Sequence, residues 1–376
     1  MGELVIICAG AGTESLPGRQ VGALLFNAPI DGQSESALRG SEKLIRIAKP
    51  EIVMVDSGGF EFLTAETKNR EITFDETKPL YSSKRRINIA PVHVVEVAER
   101  LQADIMVALD FPVRKIPGRR EQEIEFKRKL EFNVKWSIQA AELRESRCPE
   151  VSLFIPVQCY TLDHLDIFQK LLGGISFDGF SLPVRNLGLR DIAIFLCRFY
   201  QMGVRRVHLL EVSTFPVIAL SAYLGRHYFR WVSLDSTTWR HAAQDRRYLN
   251  PHDLSGEFIG AEVIVDERIE NDCPCPWCRG RTFTYIKNLP GTEKGYFLKA
   301  HNFWVTERAA KELYERAKTL VSLVEALKRR TRKTDKIEEL HEILSVIDAS
   351  KESGVDPIGF LGNSPIIPQA PFLGGA

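Results

Sequence analysis

The stretch IVMVDSGGF, residues Ile52–Phe60, joins the pattern of a buried strand to an acidic end. The unbroken apolar run IVMV predicts a short strand covered on both faces, as in a parallel sheet surrounded by helices. Asp56 follows this run directly, and the glycines beside it leave space around its carboxylate. A carboxylate at the mouth of a core strand, with neighbouring side chains removed, indicates a functional site.

The composition is that of an ordinary globular protein. The 376 residues are 44% hydrophobic and 26% charged, which is enough for a large core. Lys plus Arg (50) nearly balance Asp plus Glu (49), so no overall positive field indicates a nucleic-acid partner. Any such surface must be local.

The sequence carries no membrane or secretion signal that we can identify. Its longest apolar runs are far shorter than the roughly 20 residues that span a bilayer. The start MGELVIICAG lacks a basic region and contains an acidic residue, unlike a signal peptide. Seven cysteines, three of them crowded into CPCPWC, fit a reducing compartment better than a disulfide framework. We therefore expect a cytoplasmic protein without a membrane partner.

Short apolar runs alternate with amphipathic segments such as Pro91–Leu101, Glu121–Leu143 and Leu189–Met202. Strands are predicted near Leu4–Ala9, Ile52–Val55, Ile105–Leu109, Leu153–Val157, Gly179–Leu182, Val207–Val212, Trp231–Leu234 and Val263–Val265. Strands that alternate with helices form parallel βαβ units, and this number of them favours a (β/α)8 TIM barrel over an open sheet.

Four parts are expected along the chain. They are a catalytic barrel over 1–265, a small inserted zinc-binding subdomain over 266–305, a C-terminal helical region over 306–350 that completes the barrel, and a Pro/Gly-rich tail over 351–376.

Polar residues follow four of the predicted strands. Asp56 follows IVMV, Asp110 follows IMVAL, Gln158 follows FIPV and Asp235 follows WVSL. Any one of them alone is typical of a turn or a helix cap. Because the strands of such a barrel end on one rim, three carboxylates and an amide are expected to converge there. This pattern indicates an enzyme.

Cys273, Cys275 and Cys278 are spaced C-x-C-x2-C, and His301 follows further along. Three thiolates and one imidazole complete a tetrahedral zinc site and leave no position open for water or substrate. The set therefore predicts a structural zinc ion, whereas buried or redox-active thiols are the alternative.

These residues together resemble the tRNA-guanine transglycosylase family. The resemblance rests on DSGGF (Asp56–Phe60), the strand-end residues Asp110 and Gln158, and three longer segments. The segments are VHLLEVSTFPVIALSAYLG (Val207–Gly225), LDSTTWRHAAQDRRYL (Leu234–Leu249) and the CPCPWC…HN set that ends at Asn302. These segments look more like the archaeosine-type branch than the queuine-type branch. The family implies a zinc-containing barrel that replaces a guanine with a 7-deazaguanine without cutting the strand.

The resemblance also implies roles for individual residues. Asp235 would attack the sugar, and Asp56 would act first as the acid and then as the base, because an uncut strand requires a covalent sugar intermediate. Asp110 and Gln158 would read the polar edge of the base. The remaining substrate-binding candidates lie in the DSGGF motif: Ser57, the glycines Gly58 and Gly59, which keep room for a flat purine, and Phe60, which stacks on that purine. The incoming base would be of the 7-cyano-7-deazaguanine type.

The chain departs from the family at three places. Glu61 stands where the family usually has Gln, and STTWR replaces a Pro-Thr-Arg element. Pro183 and Val184 stand where the family has two glycines that let the backbone approach the base. These departures predict an altered base pocket.

The sequence indicates less strongly which nucleic acid, DNA or tRNA, is the acceptor. Archaeosine-type relatives carry additional C-terminal tRNA-binding domains for which this sequence has no room, and this favours DNA slightly over tRNA. The same reaction on tRNA and a non-catalytic transglycosylase subunit are the alternatives. Arg240, Arg246 and Arg247 follow the proposed nucleophile and are candidate nucleic-acid contacts. A homodimer or a partner protein is also compatible with the resemblance.

Two other classes are less consistent with the sequence. A metal-dependent barrel hydrolase would typically need a His-x-His pair, which does not occur, and His93, His208 and His241 are isolated. A plain nucleic-acid-binding module would not explain the acidic strand ends.

Overall fold

A computed structural model describes residues 2–9, 21–68, 70–74, 77, 86–211, 214–259, 273–331 and 334–362. The strands are β1 Glu3–Ala9, β2 Ala23–Asn27, β3 Ile52–Asp56, β4 Glu71–Thr73, β5 Arg86–Asn88, β6 Ile105–Val107, β7 Ser152–Pro156, β8 Gly179–Pro183, β9 Arg206–Leu210, β10 Trp231–Ser236, β11 Arg247–Leu249 and β12 Gly256–Phe258. The helices are α1 Ala28–Asp31, α2 Glu35–Ala48, α3 Phe60–Thr67, α4 Pro91–Arg100, α5 Arg119–Arg147, α6 Leu162–Leu172, α7 Leu189–Gln201, α8 Phe215–His227, α9 Thr238–Gln244, α10 Phe283–Asn288, α11 Gly291–Arg316, α12 Leu320–Lys328, α13 Thr334–Ser353 and α14 Pro357–Gly362.

Eight parallel strands close into a barrel in the order β1-β10-β9-β8-β7-β6-β3-β2. The predicted (β/α)8 barrel is confirmed, and helices lie between most of the consecutive strands. Two short pairs, β4–β5 and β11–β12, lie outside the barrel. Because all barrel strands run in one direction, their carboxyl ends form a single rim.

The second barrel strand was missed by the sequence prediction. β2 carries ALLFN, and its alanine, leucines and asparagine are not the β-branched residues that mark strands most clearly. The predicted strand Val263–Val265 lies outside the described residues, and the barrel closes with β2 among its eight strands.

Side chains alternate between the barrel interior and the helix-covered outside. Met54, Phe154 and Trp231 belong to the buried cluster inside the barrel, whereas Val53 and Val55 pack towards the helices. A strand repeats every two residues, so positions two or four after an interior residue also point inward. Asp56 and Asp235 occupy such positions, so the strands deliver both carboxylates to the barrel mouth.

The C-terminal helices extend from the barrel wall. α11 packs against α8, α9 and β1, and α13 and α14 pack against α7. α11 starts at Gly291, within the segment 266–305 that the sequence assigned to the zinc-binding subdomain. The described helices include none that is both long and apolar enough to cross a membrane. The domain bounds given above stay a prediction.

Candidate active site and metal centre

The barrel rim gathers four carboxylates. Asp56 ends β3, Asp110 follows β6, Glu211 follows β9 and Asp235 lies near the end of β10. They lie close enough for the charges of the other three to act on Asp56. The sequence predicted three of these residues but not Glu211, although Glu211 directly follows the strand RVHLL and fits the same strand-end rule.

Asp56 is the most perturbed of the four. Burial, followed by the negative charges of Asp110 and Asp235, raises the pKa of Asp56 to about 8, although the Gly58 N–H donates to its Oδ2 at 3.2 Å. A carboxyl group with such a pKa holds its proton at neutral pH and can give it up to a leaving group. Asp56 therefore has the protonation state of a general acid.

Asp110 is buried and hydrogen-bonded at both carboxylate oxygens. Ser57 donates its hydroxyl to Oδ1 at 2.7 Å, and the amide of Gln158 donates to Oδ2. Burial raises the pKa of Asp110, and these two hydrogen bonds oppose the rise. The structure thus brings together Ser57, Asp110 and Gln158, all of which were predicted to line the base pocket.

The structure explains why positions 58 and 59 are glycines, which the sequence alone did not reveal. Gly58 has φ +72°, a left-handed conformation, and a Cβ there would lie 2.4 Å from the ring of Pro29. A Cβ on Gly59 would lie 2.1 Å from Oδ1 of Asp110. The space beside Gly59 is therefore filled by the Asp110 carboxylate, which reaches the pocket only because no side chain stands there.

Side chains of neighbouring elements form hydrogen bonds with the backbone of each residue in the loop 111–113. Asn133 on α5 accepts from Phe111 N–H at 2.6 Å and donates to the Phe111 carbonyl at 3.1 Å. The buried ammonium of Lys129 donates to the Pro112 carbonyl at 2.6 Å. Gln158 accepts from the Val113 N–H at 3.2 Å. This loop is fixed by side chains of α5 and of the β7 end, and it holds Asp110 in one place.

Lys129 also joins a buried ion-pair network. Its Nζ lies 2.8 Å from Glu125 and 2.7 Å from Glu66. Burial opposes ionisation of Glu125, but hydrogen bonds from Lys129 and Arg114 outweigh it and lower the pKa of Glu125 to about 2. Glu125 is therefore ionised at neutral pH, and loss of Lys129 would leave this buried carboxylate with Arg114 and Arg128, which are both partly exposed.

Asp235 is held through one oxygen. Its Oδ1 accepts the Glu211 backbone N–H at 3.1 Å, and Nε2 of His208 lies 3.3 Å from the same oxygen. His208 is fully buried on β9, next to β10. Since the chain order places these residues far apart, the sequence suggested no link between His208 and Asp235.

Glu211 adopts a conformation that non-glycine residues rarely take. Its φ is 78°, in the left-handed region, which costs about 1 kcal/mol or more for a side chain such as glutamate. The N–H of this residue is the one that donates to Asp235. Arg185 lies close enough to Glu211 for the opposite charges to attract, and its guanidinium is 5.8 Å from the ring of Phe60. Phe60 is exposed, so an aromatic face is open at the rim.

Pro183 ends β8, and Val184 follows it with its side chain buried in the main hydrophobic core. Pro183 has no N–H, and the Val184 N–H donates to the Leu210 carbonyl at 3.3 Å. Neither residue can therefore offer a backbone donor to a base. The end of β8 therefore provides no free backbone N–H at these two positions.

The three candidate nucleic-acid contacts lie beyond Asp235, on α9 and at the start of β11. Burial raises the pKa of Asp31, and the positive charge of Arg240 opposes this rise, so Arg240 is near the rim. Arg246 and Arg247 are exposed. Burial and the positive charge of Arg246 lower the pKa of Lys294, so positive charge is concentrated on this side of the site. Their role in binding nucleic acid stays a prediction.

The predicted metal ligands form one buried cluster. Ligand atoms of Cys273, Cys275, Cys278 and His301 all lie within 4.8 Å of one another. Nδ1 of His301 is 3.6, 3.4 and 3.3 Å from the three sulfurs in chain order. Its Nε2 donates to the Leu249 carbonyl at 2.8 Å, which leaves Nδ1 free to bind an ion. The cluster can hold a metal ion.

Asn302 links this cluster to the segment after the proposed nucleophile. Its side chain accepts from Leu249 N–H at 2.9 Å and donates to the carbonyls of Trp239 and Arg247 at 3.2 and 3.0 Å. His301 and Asn302 therefore hold both backbone groups of Leu249. The metal cluster can order the region of Arg240 and Arg247 without touching the substrate.

We predict that Lys129→Met destabilises the protein by about 3 kcal/mol, because it leaves buried Glu125 partly unpaired. The matched control is Lys127→Met on the same helix. Lys127 is exposed and its partner Glu123 is partly exposed, so this substitution should cost no more than about 0.5 kcal/mol. Urea unfolding measures both. Equal effects of the two substitutions would contradict the assigned role of Lys129.

A second prediction follows from the raised pKa of Asp56. The folded protein keeps this proton up to about pH 8, whereas an ordinary aspartate loses it near 3.8. The wild type therefore loses stability between these values as pH rises, and Asp56→Asn does not. The stability gain of Asp56→Asn over wild type should grow from pH 4 to 8 and then level off, as measured by urea unfolding. Glu150→Gln, at an exposed carboxyl, should show no such growth, and a pH-independent gain for Asp56→Asn would refute the shift.

Comparison of the sequence with known proteins identifies its family. The family model described as Queuine tRNA-ribosyltransferase matches residues 25–333. The tRNA-guanine(15) transglycosylase of Methanocaldococcus jannaschii is 27% identical over 278 residues, which cover 71% of this chain and 37% of that protein. The enzyme of the same name from Pyrococcus furiosus is 26% identical over 303 residues, 74% of this chain and 44% of that protein. The chain thus spans less than half the length of these relatives. Because the family model covers most of the sequence, the chain belongs to the queuine tRNA-ribosyltransferase family, the tRNA-guanine transglycosylases that its motifs resemble.

Proposed function

We propose that the chain exchanges a guanine base in tRNA for a 7-deazaguanine by transglycosylation. The observation that carries this proposal is the pairing of two unlike carboxyl groups at the barrel mouth. Asp56 holds a proton up to a pKa of about 8, and Asp235 is oriented by N–H groups at one oxygen. Two carboxyl groups whose environments set different roles are what a double displacement at a sugar carbon requires.

The reaction would proceed in two balanced steps. Asp235 attacks C1′ of the extruded nucleotide, the bond from C1′ to the base breaks, and guanine leaves with the proton of Asp56. Asp56, now ionised, takes a proton from the incoming base, which attacks C1′ and releases the Asp235 carboxylate. The sugar–phosphate chain stays intact because only the glycosidic bond is exchanged.

The base would bind at the rim, against the carboxylate of Asp110. Each oxygen of the Asp110 carboxylate has one hydrogen bond and a second lone pair, so it can accept from the N1–H and amine of guanine. Gln158 holds the carboxylate in place. Phe60 offers an exposed ring for stacking, and Pro183, two residues after the inward-facing Ser181, would limit the pocket on the β8 side.

The sequence argument favoured DNA as the acceptor, and the comparisons support the tRNA alternative better. Both relatives described above are named for guanine 15 of tRNA. Arg240, Arg246 and Arg247 would contact the tRNA backbone, so the affinity for tRNA should fall steeply with added salt.

Incorporation of radiolabelled guanine into a tRNA transcript and into duplex DNA tests the proposal directly. We expect label in tRNA, none in DNA, and loss of label when guanine 15 is replaced. Asp235→Asn should lower the rate by at least about 10⁴-fold and abolish the covalent enzyme–tRNA adduct on denaturing gels. The rate should also fall as pH rises through about 8, because Asp56 loses the proton that it gives to guanine. Label in DNA alone, or full exchange by Asp235→Asn without an adduct, would overturn the proposal.

We further propose that the Cys273, Cys275, Cys278 and His301 cluster binds a structural zinc ion. The donor set of three thiolates and one imidazole fits tetrahedral zinc, and its full burial leaves no open side for substrate. When bound, zinc would hold the middle of α11, at His301, to the segment at 273–278. The exchange chemistry belongs to the barrel residues.

Elemental analysis should find one zinc ion per chain, and Cys275→Ser should lose it together with several kcal/mol of stability, about 3 or more. Cys197→Ser, at a buried cysteine on α7 outside the cluster, is the matched control and should keep the ion. Zinc retained by Cys275→Ser, or a preparation with a different metal at full occupancy, would argue against this assignment.

A further inference from the structure

A row of polar side chains crosses the barrel interior directly below Asp235. Ser181 on β8, His208 on β9 and Ser233 on β10 are neighbours in the strand register, and each is fully buried. Asp235 lies two residues after Ser233 on the same inward-facing side of β10. The apolar side chains inside the barrel make this row exceptional in its surroundings.

The hydrogen bonds around His208 select its tautomer. Nδ1 of His208 lies 2.7 Å from the hydroxyl of Ser233, which can either donate or accept. Nε2 lies 3.3 Å from Oδ1 of Asp235, and a carboxylate oxygen favours a proton on the ring nitrogen that faces it. Nε2 therefore carries the proton, and Ser233 adapts to whatever Nδ1 requires.

The contact between Nε2 and Asp235 is close but not aligned as a hydrogen bond. Among the described residues, Nε2 of His208 has no aligned hydrogen-bond partner, although it is completely buried. An unsatisfied buried N–H costs about 1–3 kcal/mol, so the ring does not stabilise the fold through this nitrogen. Catalytic hydrogen bonds are often loose before the substrate binds and tighten in the reacting complex.

Both N–H groups near Asp235 lie at the same oxygen. The Glu211 N–H donates to Oδ1 at 3.1 Å, and His208 faces Oδ1 as well. We propose that His208 is a positioning residue that holds Asp235 through Oδ1, so that Oδ2 is the atom that bonds to the sugar. This inference rests on the proposed function, in which Asp235 is the nucleophile.

The consequence differs between the two steps of the reaction. When Oδ2 bonds to C1′, the guanine–C1′ bond breaks and Oδ1 becomes the carbonyl oxygen of the resulting ester. When the incoming base attacks, the Oδ2–C1′ bond breaks and the carboxylate regains its negative charge. The His208 N–H faces Oδ1 and would form this hydrogen bond as the complex reacts, so it would orient the first attack and stabilise the charge that returns in the second step.

The test uses the full chain with tRNA and follows adduct formation and adduct breakdown separately in single-turnover experiments. His208→Leu removes the N–H and should slow formation of the adduct about 10- to 100-fold, with guanine affinity unchanged. His208→Asn keeps an N–H donor and should recover most of that loss. His164→Leu is the matched control, because His164 is another buried imidazole that lies on α6 and contacts Glu123 rather than a rim carboxylate.

The outcomes separate this inference from the proposed function. An adduct in the wild type and in His164→Leu, slow formation in His208→Leu and recovery in His208→Asn support the inference. Equal losses in both His208 variants would mean a packing role and overturn it, as would wild-type rates in both. No adduct in the wild type would instead refute the nucleophile assignment. If His208→Leu does not fold, Ser233→Ala decides: adduct formation slowed about threefold or more supports the inference, and an unchanged rate overturns it.

Discussion

Crowding of carboxylates at one buried rim is the physical condition that organises this site. A parallel barrel brings the ends of all its strands together, and here four of those ends carry an acid. Like charges in a poorly solvated place cannot all be ionised at neutral pH. Asp56 keeps its proton as a result, and the neighbouring acids are stabilised by hydrogen bonds instead: Asp110 by Ser57 and Gln158, and Asp235 by the Glu211 N–H. The division of roles between the acids thus follows from their partners.

The supports of the site lie on rigid elements outside the rim. Asn133 and Lys129 on α5 hold the backbone of the loop that carries Asp110. His301 and Asn302 on α11 do the same for Leu249, on the segment that follows Asp235. In both cases a helix side chain binds main-chain atoms, so the loop geometry does not depend on the loop's own side chains. A metal ion in the cysteine cluster would act through this second support, at a distance from the chemistry.

The sequence allowed the barrel and the strand-end acids to be predicted because both depend on local pattern. Apolar runs mark strands, and the residue after each run lies at the rim. β2 was not predicted because leucine and alanine do not distinguish a strand from a helix. The link between His208 and Asp235 escaped for a different reason: it depends on the register between neighbouring strands, which appears only when the barrel closes. Likewise, Gly59 is explained by an atom of Asp110, which lies far away in the chain.

The departures from the family pattern concern one side of the pocket. On β8, proline removes one N–H and the Leu210 carbonyl accepts the next, so neither position offers a backbone N–H to a base. On the opposite side, Ser57, Asp110 and Gln158 remain a connected polar unit. Recognition of a base would therefore come from the β3, β6 and β7 ends, while β9 and β10 supply the groups that act on the sugar. Because β8 carries neither Asp56 nor Asp235, a change at its end can alter which base is accepted and leave the acids that break the glycosidic bond where they are.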